Sequence, residues 1–129
     1  MTVLVDTSVF IASSRPLPRQ IRLLEILRER DEKMVVSTIV VYELLAGTSR
    51  KHRKRNRRLL ESASVVNVDA EITERAILLH DQLQRDRFRL HVADALIAAT
   101  ALSYGLPLAT LNTRHFERVP GLRLYAPPP

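Results

Sequence analysis

Short apolar runs separated by helix-patterned segments predict an α/β protein, a three-layer α/β/α sandwich around a central, mostly parallel sheet of four to five strands. Three observations carry that expectation. The runs VLV at 3–5, MVV at 34–36, SVVNV at 64–68 and PLATL at 107–111 have the length and composition of buried strands. The segments between them are long enough for the right-handed crossovers that parallel strands require. Gly47, Gly105 and Pro107 stand where one element should stop and another begin. With 129 residues and 46% hydrophobic content the chain has the size of one domain, expected over 1–126, with 127–129 as an extended proline tail.

The elements follow in order. VLV ends at Asp6, and the stretch after it, closed by Pro16 and Pro18, has a loop-like composition. Residues 19–31 place Ile21, Leu24 and Leu27 at helical spacing among Arg and Glu, and MVV follows as the second strand. Ser37 or Thr38 can cap a helix over 38–46, TIVVYELLA, which Gly47 stops. A basic helix is expected from about 50 to 63. SVVNV is the third strand, and Asp69 caps a long helix with Ile72, Ala76, Leu79 and Leu83 in one stripe. HVADALIAATALSYG at 91–105 is a nearly all-apolar helix, PLATL is the fourth strand, and LRLY at 122–125 is a candidate fifth.

Composition excludes several kinds of function. No cysteine is present, which removes disulfides, thiolate zinc sites and cysteine nucleophiles and fits a reducing, cytoplasmic setting. The opening run carries no basic leader or cleavage site, and the apolar stretch at 92–102 is too short to span a bilayer, so no membrane role is expected. Three glycines cannot build a glycine-rich phosphate loop, which argues against a nucleotide cofactor. The formal charge of +6 is concentrated: Arg50, Lys51, Arg53, Lys54, Arg55, Arg57 and Arg58 lie in a ten-residue segment with no acid. Such a patch attracts phosphate backbones, or equally is a solvated helical face or a site for an acidic protein partner, and without aromatics it has no means of stacking bases.

Asp94 is the residue that demands an explanation. It is the only fully charged side chain in its apolar helix, and the helix macrodipole offers only about 0.3–1 kcal/mol to offset the several kcal/mol that burying a lone carboxylate costs. Asp6 ends the first strand, and Glu43 lies among Ile39, Val40, Ala46 and Gly47 on its helix. In a parallel sheet all three can meet beyond the carboxyl ends of the strands. Two carboxylates about 4 Å apart repel by roughly 4 kcal/mol at an effective dielectric near 20, so such a cluster calls for shared protons or a bound cation. Oxygen ligands alone suit Mg²⁺ or Mn²⁺, and with a basic segment to hold a polyanion the coherent chemistry is metal-assisted phosphodiester hydrolysis. A phosphatase of the haloacid dehalogenase type would need a second Asp where Ser8 stands.

In VLVDTSVFIA at 3–12, STIVVYELLAG at 37–47, HVADALIAATALSYGLPLATLN at 91–112 and NTRHFERVPGLRL at 112–124, the chain resembles the PIN-domain proteins, and among them the VapC-type toxin ribonucleases of toxin–antitoxin pairs. The resemblance covers essentially the whole chain. It implies a metal-dependent endoribonuclease whose near-invariant acids correspond to Asp6, Glu43 and Asp94, with Thr7 and Ser8 beside the first of them. It also implies an RNA substrate, a homodimer, and a VapB-type antitoxin that wraps the toxin and blocks the acidic site with a basic side chain.

The chain departs from the family after the fourth strand. Many PIN domains carry a further Asp there, whereas this chain has Asn112, followed by His115 and Phe116. Asn112 can still offer a neutral oxygen or hydrogen-bond a metal-bound water, but fewer charges weaken a second metal, so one firmly held ion is expected, with a second that needs substrate. Thr110 is expected either to orient a water or to end the strand, and His115 to be a surface residue. The missing acid keeps a second function open, an RNA-binding or regulatory PIN module without turnover.

Overall fold

The computed structural model describes residues 1–12 and 18–126, and the side chains of 1–11 and 23–126. The expected proline tail at 127–129, and Pro16 with it, lie outside the described residues. Four strands, β1 (Thr2–Val5), β2 (Lys33–Ser37), β3 (Ala63–Val66) and β4 (Leu108–Ala109), form one all-parallel sheet in the order β3-β2-β1-β4. Leu4 pairs with Val35 on one side and Leu108 on the other, and Val35 continues to Ser64. Val3, Leu4 and Val5 are fully buried, as expected of a central strand covered on both faces.

Among the described residues there are seven helices, α1 (Thr7–Ala12), α2 (Pro18–Glu29), α3 (Thr38–Ala46), α4 (Arg50–Leu60), α5 (Ala70–Arg85), α6 (Val92–Tyr104) and α7 (Thr113–Phe116), of which α1 to α6 make the crossovers and α7 follows β4. From β1 the chain moves outward to β2 and β3, then returns to place β4 on the opposite side of β1. The order therefore reverses between β1 and β4, and the crevice beyond the carboxyl ends of those two strands is the place where such sheets bind ligands. Asp6 follows β1 directly, and Thr110 follows β4.

Three expectations are corrected. The stretch after Asp6 is helical over Thr7–Ala12 rather than a loop. TSVFIA is rich in β-branched residues with weak helix propensity, but Val9 and Phe10 become fully buried, and that packing outweighs propensity. The fourth strand is two residues long, so Thr110 and Leu111 lie beyond it. The fifth strand is reduced to a single parallel bridge between Leu108 and Leu124, with Leu108 N–H donating to Arg123 O and Tyr125 N–H to Leu108 O. A short α7 that the sequence did not suggest occupies Thr113–Phe116 and buries Phe116 completely.

The remaining elements follow local rules. Ser37 caps α3 by accepting from Val40 N–H, and Asp69 caps α5 by accepting from Ile72 N–H. Ile72, Ala76, Leu79 and Leu83 form the buried stripe of α5. Gly105 ends α6 in the left-handed region at φ 63°, a conformation in which a side chain is strained. At Gly47 the need for glycine is steric, since a Cβ there would stand 2.6 Å from the carbonyl oxygen of Glu43. None of the described helices is long and apolar enough to cross a membrane.

Candidate active site

A pocket of about 420 Å³ opens at the switch point, lined by Asp6, Thr7, Ser8, Glu43, Asp94 and Asn112, with Ile11, Gly47, Thr48 and Leu111 completing its wall. All three acids singled out from the sequence face it, each delivered by a different element. Asp6 leaves the end of β1, Glu43 projects from α3, and Asp94 from the first turn of α6. No Lys or Arg is among the described residues lining the pocket, and the charges they bring to it are those of the three carboxylates.

Asp6 is buried and held by three donors. Its Oδ1 accepts from Thr7 N–H at 2.8 Å, and its Oδ2 accepts from the Ser8 hydroxyl at 2.8 Å and the Thr110 hydroxyl at 2.7 Å. These donors are themselves fixed: Leu111 N–H donates to Ser8 Oγ and Asn112 N–H donates to Thr110 Oγ1. The Thr7 hydroxyl turns the other way and donates to Glu43 Oε1 at 2.8 Å, tying α1 to α3 across the pocket floor. The small hydroxyl residues therefore act as a frame that fixes two carboxylates in orientation. Thr110 lies just beyond β4, and its hydroxyl belongs to that frame, donating to Asp6 and accepting from Asn112 N–H.

Asp94 sits differently. Its nearest ionic neighbour is His115, whose Nδ1 lies 3.3 Å from Oδ2, and His91 caps the same helix by accepting from Ala93 N–H. Burial, seconded by the negative charge of Asp6 and to a smaller degree of Glu43, pushes the Asp94 carboxyl above the usual aspartate range, while His115 and His91 act in the opposite direction. His115 is a surface residue, as expected, with its side chain 58% exposed, but it also meets Asp94, which the sequence did not suggest. Its position depends on α7, an element without a sequence signal of its own.

Two other wall residues escaped the sequence. Thr48 faces the pocket, and its hydroxyl donates to the carbonyls of Leu44 and Leu45 at the end of α3. Ile11 supplies an apolar wall from the unexpected helix α1. The seven basic residues at 50–58 lie outside the pocket lining, and they are not equivalent. Arg53 is half-buried with its Nε donating to Leu45 O, so it anchors α4 to α3. The other six are exposed.

The donor set is that of a hard cation: carboxylate oxygens, hydroxyls and the Asn112 side chain, with no thiolate and an imidazole only at the rim. Among the described residues no three Asp, Glu or His side chains close tightly enough to cage an ion by themselves. The residues fit an ion that keeps part of its water shell, as Mg²⁺ does when it binds through one or two carboxylates.

The profile of the PIN domain matches residues 3–122. The chain belongs to the PIN-domain family. It is 31% identical to a ribonuclease VapC of Rickettsia bellii, across 99% of this chain and 98% of that one. It is 30% identical to a tRNA(fMet)-specific endonuclease VapC of Shigella flexneri, across 93% of each. Its structure is similar to one in a toxin–antitoxin complex from Klebsiella pneumoniae, with a TM-score of 0.76 at 28% identity over 98% of both chains. The parallel sheet, the helices that flank it and the resemblance drawn from the four motifs agree with this PIN-domain membership.

Proposed function

We propose that this PIN-domain protein is a divalent-metal-dependent endoribonuclease and the toxin of a type II toxin–antitoxin pair. The observation that carries the proposal is the meeting of Asp6, Glu43 and Asp94 in one pocket at the topological switch point, without a Lys or Arg among the described residues lining it. The VapC relatives named as ribonuclease and endonuclease support the reaction class. The toxin–antitoxin complex from Klebsiella pneumoniae supports a VapB-type antitoxin as partner.

Asp6 and Asp94 are assigned as direct ligands of Mg²⁺ or Mn²⁺, and Glu43 as a ligand acting through water. When bound, such an ion supplies a nucleophilic water at neutral pH and neutralises charge on the reacting phosphate. The chain's own part is positional. Thr7, Ser8 and Thr110 fix the carboxylates before substrate arrives, so that little reorganisation is left for the reaction itself. Asn112, at the rim, presents a neutral amide where a fourth carboxylate would add repulsion against the RNA. The absence of cysteine supports a reducing compartment such as the cytoplasm. Pairing of two copies has a candidate surface in the apolar groove between α5 and α6, where Ile77 and Val92 are exposed.

Asn112 also favours a second reading, an RNA-binding module without turnover. One experiment separates the two: the antitoxin-free protein is incubated with a cellular RNA pool in Mg²⁺, Mn²⁺ or EDTA, beside Asp94→Asn. Discrete fragments that require metal and vanish in the variant are the expected result. RNA retained uncut in every metal by folded protein would refute the nuclease.

A further inference from the structure

An acidic pocket that must admit a polyanion has an electrostatic problem, because its own carboxylates repel the substrate. The answer lies on the next helix. Gly47 and Thr48 line the pocket, and α4 begins two residues later at Arg50. Its eleven residues run for about 16 Å at the helical rise.

One face of α4 is fastened to the body of the protein. Arg53 donates to Leu45 O and Asn56, itself buried, donates to Leu44 O, so both side chains satisfy the free carbonyls at the end of α3. Leu60 is buried on the same side. These bonds attach α4 to the turn of α3 that carries Glu43. The opposite face holds Lys51, Lys54 and Arg58 at helical spacing, flanked by Arg50, Arg55 and Arg57. All six are exposed, and no acid in the helix neutralises them. Like charges at this spacing destabilise a helix, so the pattern has a cost that a merely solvated surface would not need.

We infer that the exposed face of α4 is a rail for the phosphate backbone of single-stranded RNA, holding the strand as it enters the acidic pocket. The inference rests on the nuclease reading of that pocket. RNA is favoured over a protein partner by what the face lacks. Its exposed side chains are all Arg, Lys or His, with no aromatic or aliphatic anchor of the kind on which protein interfaces depend. A phosphate backbone requires only cations, and the absence of stacking side chains makes the rail indifferent to sequence. Selection among RNAs is then left to the pocket, while α4 supplies affinity and orientation.

The test is binding of a fluorescent single-stranded RNA to Asp94→Asn protein across a range of salt concentrations, with cleavage by the otherwise wild-type chain measured in parallel. The background is compared with the same background carrying Lys51→Gln, Lys54→Gln and Arg58→Gln. A control triple, Lys33→Gln, Arg75→Gln and Arg85→Gln, removes equal charge elsewhere. The rail variant is expected to weaken binding about tenfold or more near physiological salt. It should flatten the plot of log affinity against log salt by about 2, or roughly 0.7 for each single-strand phosphate that is no longer neutralised. The control should retain the parental slope. Equal slopes in the rail variant and its parent would overturn the rail, and cleavage by the otherwise wild-type chain would leave the nuclease intact. Binding that depends on the rail, without cleavage in any metal, would keep the rail and refute the nuclease. Loss of antitoxin binding with RNA binding unchanged would assign α4 to the protein partner and overturn the inference.

Discussion

Asp6 and Asp94 face the same pocket, one from the end of β1 and the other from the first turn of α6, and their surroundings have little in common. Asp6 is buried and bonded by a backbone amide and two hydroxyls, each within 2.8 Å. Asp94 is partly exposed, its nearest ionic neighbour is an exposed imidazole at 3.3 Å, and its carboxyl is held above the ordinary value by burial and by Asp6. Asp6 is a fixed carboxylate and Asp94 an adjustable one. For the cation proposed to bind here the two would contribute differently, since the fixed group sets geometry while the other can adjust to the ion.

The most damaging way to disturb this arrangement is Asp6→Asn. An amide has one oxygen where the carboxylate has two, so the donors from Thr7, Ser8 and Thr110 cannot all be satisfied in place. RNA cleavage is expected to fall by about 10²–10³-fold, the range seen when a fixed electrostatic group is removed from an active site. Thermal unfolding should also shift downward. Cleavage within tenfold of wild type would show that the fixed corner is not a metal ligand.

Asp94→Asn should cost about 10²-fold in cleavage but act oppositely on stability. A carboxyl whose pKa is raised in the folded state contributes stability that is fully present below its ordinary value of 3.8 and is lost as pH rises through the folded-state value. In chelator the wild-type protein should therefore lose stability as pH climbs out of that window. The Asn variant lacks that loss and should unfold at an equal or higher temperature at pH 7. Added Mg²⁺ or Mn²⁺ should stabilise the wild type at pH 7 and leave the variant nearly unmoved. A variant less stable than wild type in chelator would mean that Asp94 is structurally paired rather than held in reserve for a cation.

The acids were legible in the sequence because each is a charge in an apolar neighbourhood, and the physics of burial makes such a charge conspicuous in the order of residues alone. The alternation of strands and helices pointed to the parallel sheet for the same kind of reason, since hydrophobic period is a local property. What escaped is what depends on distant registry. The bond from Thr110 to Asp6 spans 104 positions and exists only because β4 pairs beside β1. The approach of His115 to Asp94 needs α7, a single turn with Phe116 as its buried anchor. Helix α1 was hidden by its β-branched composition, and the inward turn of Arg53 by its place in a run of like residues.

A smaller effect is expected from Thr110→Val, which keeps volume and removes one hydroxyl. That hydroxyl donates to Asp6 and accepts from Asn112 N–H, so its loss loosens the fixed corner and the rim together. A hydrogen bond to a charged group is worth about 1.5–3 kcal/mol, and the midpoint of urea unfolding should fall accordingly. Cleavage should drop by about tenfold, with Thr110→Ser restoring most of it. If Thr110→Val leaves cleavage unchanged, Ser8 and Thr7 N–H alone are enough to orient Asp6.

The mildest change, His115→Ala, tests the adjustable corner. His115 lowers the Asp94 carboxyl against the opposing effects of burial and Asp6, so removing the imidazole should raise the pH at which Asp94 gives up its proton. In chelator, the loss of stability with rising pH should extend to a higher pH in the variant than in the wild type. Because the His115 side chain is 58% exposed, solvent screens the pair, and the shift should be small, with cleavage at pH 7 within about threefold of wild type. A profile that does not move would leave burial, the neighbouring carboxylates and His91 to set the proton affinity of Asp94. His115 would then neighbour Asp94 without adjusting it, and the difference between the two aspartates would come from the hydroxyl frame around Asp6 and from the burial and neighbouring charges around Asp94.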